Sequence, residues 1–251
     1  MKILSIDWDY FYPDSAPYDW GANEEKGIFY EIIWSIRASN RNLVTQAFAL
    51  DEYVPTIPRN FWKRVVSNNP AVMMVADSHF ALFDLLRNAD LTHLDAHHDC
   101  GYCDIGKDFQ SDQAHVDCGN WGRWGKFMGK IETNRLYYPE WRKEYDETKP
   151  PTWILDEMNY GLPEPEDYDM IFVCRSSCWT PPWFDKKFRS FVQRAPAMKK
   201  QFMDDMCQKI RKPDLKQARI LREQQLKLWD GINKEGGVTY GTVSSSQLQS
   251  A

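Results

Sequence analysis

The stretch KILSIDWD, Lys2–Asp9, decides how the rest of the chain reads. A short apolar run stops abruptly at two aspartates, Asp7 and Asp9, spaced two residues apart. The run is too short for a helix and lacks strict alternation, which suits a strand covered on both faces. Three further runs share its form: AVMMVADSH (Ala71–His79), LTHLDAHHD (Leu91–Asp99) and YDMIFVCRSS (Tyr168–Ser177). They end at Asp77 and His79, at Asp95, and near Arg175. Helical spacing is predicted between them, over Glu24–Ser39, Arg59–Ser67 and His79–Asn88. Alternating strands and helices predict an α/β protein: three layers, a mainly parallel sheet with helices on both faces. In such sheets ligands bind beyond the carboxyl ends of the strands, where this chain places its Asp and His residues.

The totals are compatible with that reading. The chain has 251 residues, 43% hydrophobic and 27% charged, enough for one sizeable core. Its formal charge of −5 argues against a general nucleic-acid binder, which needs a basic footprint. No run approaches the ~20 apolar residues of a membrane span, and the opening MKILSIDWDYFYPD lacks a signal-peptide apolar region. A cytoplasmic location and a small-molecule substrate are expected, and a homo-oligomer is compatible. The six cysteines are then expected to be free, metal-binding or catalytic rather than disulfide-bonded.

One domain is expected over residues 1–235. Met198, Phe202, Met206 and Ile210 recur every four residues, and Leu215, Ala218, Leu221 and Leu228 resume after Pro213. This predicts two amphipathic helices within a helical C-terminal part, 195–232. The tail, 236–251, is polar and expected to fray.

All five histidines fall between positions 79 and 115. Where a strand runs into a loop, residues two and four apart share one side, so Asp95, His97 and Asp99 can converge on metal. Asp7 and Asp9 offer a second pair with the same spacing, and His79 a third strand-end donor. Turn residues and helix N-caps are the bland alternative. Carboxylates gather this densely at strand ends only with compensation, and mixed carboxylate and imidazole donors suit Mn, Fe, Co or Zn better than Ca. His93, inside a strand, reads as a core or supporting histidine.

These residues carry a resemblance. LDAHHD resembles the DAHxD metal motif of the arginase/agmatinase (ureohydrolase) superfamily. SIDWDYFYPD is similar to its SxDxDxxDP motif, with the proline and final aspartate displaced by one position. VADSHF resembles its GGDHS segment, and CGNWGRW more loosely its SGNxHG loop. The resemblance implies an arginase/deacetylase-like fold. It also implies a binuclear centre, usually two Mn2+ per chain, held by Asp7, Asp9, His79, Asp95, His97 and Asp99, with Asn120 contacting substrate.

The departures narrow the expectation. The SxDxD-like motif precedes the DAHxD-like one here, the reverse of the family order, as in a permuted relative. Gly122 or Arg123 stands where the family loop has histidine, and no glutamate matches the one that grips guanidinium. Arg175 stands in that region instead, a charge that would repel a guanidinium and could bind a carboxylate or phosphate, or pair with a nearby acid. Trp179, in the stiff CWTPPWF loop, could wall the cleft.

The expected activity is therefore metal-dependent hydrolysis of a C–N bond in a guanidine, amidine or amide by a metal-activated hydroxide, with a substrate other than arginine. Asp99 serves the chemistry as a ligand, and His98 or His115 could shuttle a proton to the leaving amine. Two other readings stand: a single-zinc deacetylase-like enzyme, and a non-catalytic binding or inhibitor protein on the same fold. Separately, Cys100, Cys103, His115 and Cys118 have the form of a structural Cys3His zinc knot.

Overall fold

A computed structural model describes residues 1–13, 34, 54–101, 116–144 and 150–212, with isolated positions 214, 216, 220, 223, 224 and 227. The predicted Glu24–Ser39 helix lies outside them except for Trp34, which is helical and buried. Seven strands are described: β1 (Lys2–Asp7), β2 (Val72–Ala76), β3 (Ala89–Leu94), β4 (Ile131–Tyr138), β5 (Glu157–Tyr160), β6 (Met170–Cys174) and β7 (Lys199–Phe202). They form one all-parallel sheet in the order β5-β4-β3-β1-β6-β2-β7, not closed into a barrel. The α-helices whose full span lies among the described residues are α1 (Phe61–Val65), α2 (Trp121–Phe127), α3 (Asp185–Gln193) and α4 (Asp205–Gln208). The three-layer α/β architecture expected from the sequence is the one found.

The apolar strands read as continuous because both of their faces are buried. Leu4 and Ile6, Met73 and Val75, and Ile171 and Val173 point into one core with Trp8, Phe11, Phe61, Trp62 and Phe191. Their alternating neighbours Ile3, Leu91, Met170, Phe172 and Cys174 enter a second core on the other face, with Leu82, Leu86 and Trp121. The first core absorbs much of the aromatic excess: Trp62 stacks on Phe191 at 4.5 Å, and Phe11 meets Phe61 edge-on at 5.1 Å.

Two predicted helices take other forms. After β2, His79–Leu82 makes one 3-10 turn with Ser78 as its N-cap, and Asn88, at φ +48°, turns the chain into β3. The amphipathic helix expected from Ala195 is instead strand β7, paired with β2, followed by the single turn α4. A four-residue repeat is also a multiple of the two-residue strand period, so the spacing fits both elements. Met198, at the head of the stripe, is 76% exposed, so the stripe is not core. Beyond Pro213, itself outside the described residues, Lys216, Ile220, Glu223, Gln224 and Lys227 are helical and exposed.

The topology fixes where a ligand can enter. From β1 the chain crosses to β2 on one side, and from β3 to β4 on the other. The adjacent pair β1 and β3 is therefore a switch point, and the crevice beyond its carboxyl ends is the favoured binding position. Register pairs Ile6 with Leu94, so Asp7 and Asp95 leave the sheet side by side.

Candidate metal centre

Each charged side chain is delivered by a strand end. Asp7 closes β1 and caps the 3-10 turn Trp8–Phe11, its Oδ1 accepting from the Asp9 N–H at 3.1 Å. Asp95 follows β3, and its Oδ1 accepts from the His97 N–H at 2.7 Å, turning the DAHHD loop tightly. Asp99 takes a left-handed conformation, φ +50°, at the end of that loop. His79 opens the turn beyond β2.

These donors form two groups joined by one carboxylate. His79 Nδ1 lies 3.3 Å from Asp7 Oδ2, 3.0 Å from Asp95 Oδ2 and 3.4 Å from Asp99 Oδ2. His97 Nδ1 lies 2.9 Å from Asp9 Oδ2 and 3.6 Å from Asp95 Oδ1. Asp95 thus turns one oxygen to each group. Ligand atoms held at ~2.0–2.2 Å from a shared cation stand about 3 Å from one another, which is the spacing seen. His79 Nδ1 and Asp9 Oδ2 are fully buried and close to opposite charges, yet neither is aligned in a hydrogen bond. Buried lone pairs packed this closely would be satisfied by a shared cation. Five of the six residues predicted as ligands, Asp9, His79, Asp95, His97 and Asp99, fall together with His93 in two groups that could hold a metal ion, while Asp7 stands outside those groups and reaches them through His79.

A second layer orients the donors. Ser5 Oγ is 2.6 Å from His79 Nε2, so a proton on Nε2 leaves the Nδ1 lone pair facing the carboxylates. His93 Nε2 stands 2.7 Å from Asp95 Oδ2, the supporting part expected of it. The Trp121 indole N–H donates to Asp99 Oδ2 at 2.7 Å, a role that no sequence signal marked. Phe172 stacks under the His79 ring at 5.6 Å.

The electrostatics are those of a crowded anion site. Burial raises Asp7 and Asp99 well above the usual carboxylate range, and Asp95 adds to it by repulsion, joined at Asp7 by Asp9. Burial also pushes on Asp95, but His93, His79 and His97 outweigh it and hold its carboxyl well below normal. Burial disfavours charge on His79 and His97 too, and there the carboxylates win and raise both rings well above their ordinary value. Protons and a divalent cation would compete for the same lone pairs.

The remaining predicted residues divide. Trp179 stands beside the cluster, its ring 4.8 Å from that of His97. Arg175 is a structural ion pair rather than a substrate contact. It is buried, and its guanidinium is engaged by Asp77 at 2.6 Å, Asp185 at 3.3 Å, Ser177 Oγ, and the Met206 and Lys209 carbonyls. His98 is buried with Nδ1 accepting from the Cys100 N–H, and burial first, then His97, holds its pKa down to about 3. A ring held that low is neutral near pH 7 and poorly suited to shuttling a proton. The Asn120 side-chain oxygen accepts from the Asp117 N–H in the turn before α2. Of the suggested zinc knot, Cys100 is buried and Cys118 half-buried, while Cys103 and His115 lie outside the described residues.

No family model, curated protein or solved structure matches this chain. Among the described residues no helix is long and apolar enough to cross a membrane.

Proposed function

We propose that this chain is a metal-dependent hydrolase that cleaves a C–N bond in a guanidine, amidine or amide other than arginine. The observation that carries it is Asp95, buried at a topological switch point with one oxygen turned to each of two donor groups. On this reading His79, Asp7, Asp95 and Asp99 would hold one divalent ion, and His97, Asp9 and Asp95 a second. Mn2+ is the first candidate, and Fe, Co or Zn would also suit the donors.

Bound divalent ions would supply Lewis acidity, activating water and polarising the bond to be cleaved. The chain's own residues do the rest. Ser5, His93 and Trp121 fix the donor orientations, so no reorganisation is needed when charge develops. His97 is the most open ligand, its side chain 21% exposed against 9% or less for Asp7, Asp9, His79, Asp95 and Asp99, so substrate would approach past it. Trp179 beside it would wall that approach. Arg175 cannot take the substrate's anionic end, because its donors are already spent.

A single-metal, deacetylase-like enzyme is the second reading. Asp9, Asp95 and His97 alone make a three-donor set open on one side, as catalytic zinc sites are. Metal-to-chain stoichiometry on the purified protein separates the two. About two ions per chain, falling to one or none in Asp9→Asn and to none in Asp95→Asn, supports the binuclear reading. One zinc per chain favours the second. A protein that binds no divalent transition metal overturns both, and one that binds metal without turning over any guanidine, amidine or amide is a binding protein.

A further inference from the structure

We infer that Trp179 shields the metal centre at its one open ligand, and that a buried four-charge network of Asp77, Arg175, Asp185 and Arg211 consists of positioning residues that hold it there. The inference rests on the proposed metal centre and assigns the control of access to it.

The network lies beneath the loop that follows β6. Arg175 bridges Asp77 and Asp185, and Arg211 grips both Asp185 oxygens, at 2.5 Å through Nη2 and 3.0 Å through Nε. All four side chains are buried. Two cations against two anions leave no net charge, which is how such a group can be kept out of water. Its hydrogen bonds reach two neighbouring segments. Arg175 donates to the Met206 and Lys209 carbonyls and Arg211 to Ser177 O at 2.8 Å, so the segment carrying α4 is tied to the loop. Ser177 Oγ donates to Asp77 Oδ1 at 2.5 Å, which ties the same loop to the end of β2.

The loop itself is tightly wound. Ser176 sits at φ +53°, the Thr180 hydroxyl donates to the Arg175 and Ser176 carbonyls, and Pro181 and Pro182 follow. Its backbone has little freedom, so the loop's placement is decided by what anchors its base. Trp179 is carried on it and laid at 4.8 Å against His97. The network sits at the ends of β6, the strand beside β1, and of β2, and its hydrogen bonds run to the loop and to the segment carrying α4, so it can set this wall from behind the donors.

The test is the rate at which a chelator strips Mn2+ from the loaded full-length protein, read by a colour-forming chelator, with bound metal counted beforehand. Trp179→Ala should leave stoichiometry unchanged and speed metal loss about tenfold, the size expected for an outer partner of a metal site. Trp179→Phe should lie between. Arg211→Gln, which frees the base of the loop, should also speed loss. Arg135→Gln, which breaks the Arg135–Glu166 pair on β4, controls for general destabilisation and should not. If Arg211→Gln does not fold, the Trp179 pair still decides the shielding. Unchanged loss rates in the Trp179 variants overturn the inference while leaving the metal centre standing. Faster loss in Trp179→Ala together with an unchanged rate in a folded Arg211→Gln overturns the positioning part. A wild-type protein that takes up no metal overturns the proposed function instead.

Discussion

At the residue scale, what distinguishes this site is the number of carboxylates that one buried volume holds. Asp7, Asp9, Asp95 and Asp99 are all at least nine-tenths buried, and neutral packing residues could not keep them there. The pH dependence of metal binding follows from their histidine neighbours. His79 and His97 are raised in the folded, metal-free protein, so the stability they contribute is fully present below the unfolded value of about 6.5. That contribution is lost as pH rises through their folded values. Metal has to displace those protons, so metal stabilisation should grow with pH. The Mn2+-induced rise in Tm should be small at pH 5.5 and clearly larger at pH 7.5, measured by differential scanning fluorimetry. An equal rise at both values would mean that neither ring is a ligand. His98, lowered to about 3, acts the opposite way on folding: the unfolded chain takes its proton first, so stability falls as pH drops below about 6.5. The clustering of these side chains was legible in the sequence because aspartate and histidine gather at several strand ends, which a parallel sheet brings to one edge. Arg175 was legible only as a choice between ligand contact and ion pair, since its partners Asp77 and Asp185 are set by tertiary contact.

At the element scale, the strands were readable and the helices much less so. β1, β2, β3 and β6 are short apolar runs buried on both faces, a pattern few other elements produce. β4 and β5 escaped because IETNRLYY and EMNY mix polar and apolar residues, as strands toward a sheet edge do. β7 was mistaken for helix because its register is set by pairing with β2, which no local spacing announces. The connection to α2 held the largest surprise. That helix brings Trp121 onto the back of the site, where its ring lies 4.8 Å from His79 and its N–H holds Asp99. A buried tryptophan reads as core from sequence, and only the fold gives its nitrogen a task. Trp121→Phe should keep the packing and lose the hydrogen bond, weakening metal affinity by roughly tenfold to a hundredfold with little loss of bound-state structure. Competition titration against a chelator of known affinity measures this. An unchanged affinity would show that Asp99 is held in place by other contacts.

At the scale of the whole molecule, the aromatic core and the candidate metal cluster lie on opposite faces of one sheet, the cluster beside the second, less aromatic core. The face with Leu4, Ile6 and Val173 carries the aromatic core built on Trp8, Phe61 and Phe191, while Ser5 and His93 meet His79 and Asp95 of the candidate metal cluster on the other. The two contributions should therefore be separable in unfolding experiments. Phe191→Ala removes a ring that is 3% exposed and touches Trp8, Phe11, Phe61 and Trp62, and should cost about 3–5 kcal/mol. It should cost about the same with metal or without, since the rings that Phe191 touches are not donors themselves. Mn2+ at a hundredfold excess over its Kd should add about 2.7 kcal/mol per site to either protein, and excess chelator should reverse it. The two effects should add within ~0.5 kcal/mol, as independent sites do. Urea titrations of the four combinations test this, and strong non-additivity would mean that the sheet transmits strain from one face to the other. Additivity would show instead that the aromatic core stabilises the fold without being coupled to a cation bound at the carboxylates.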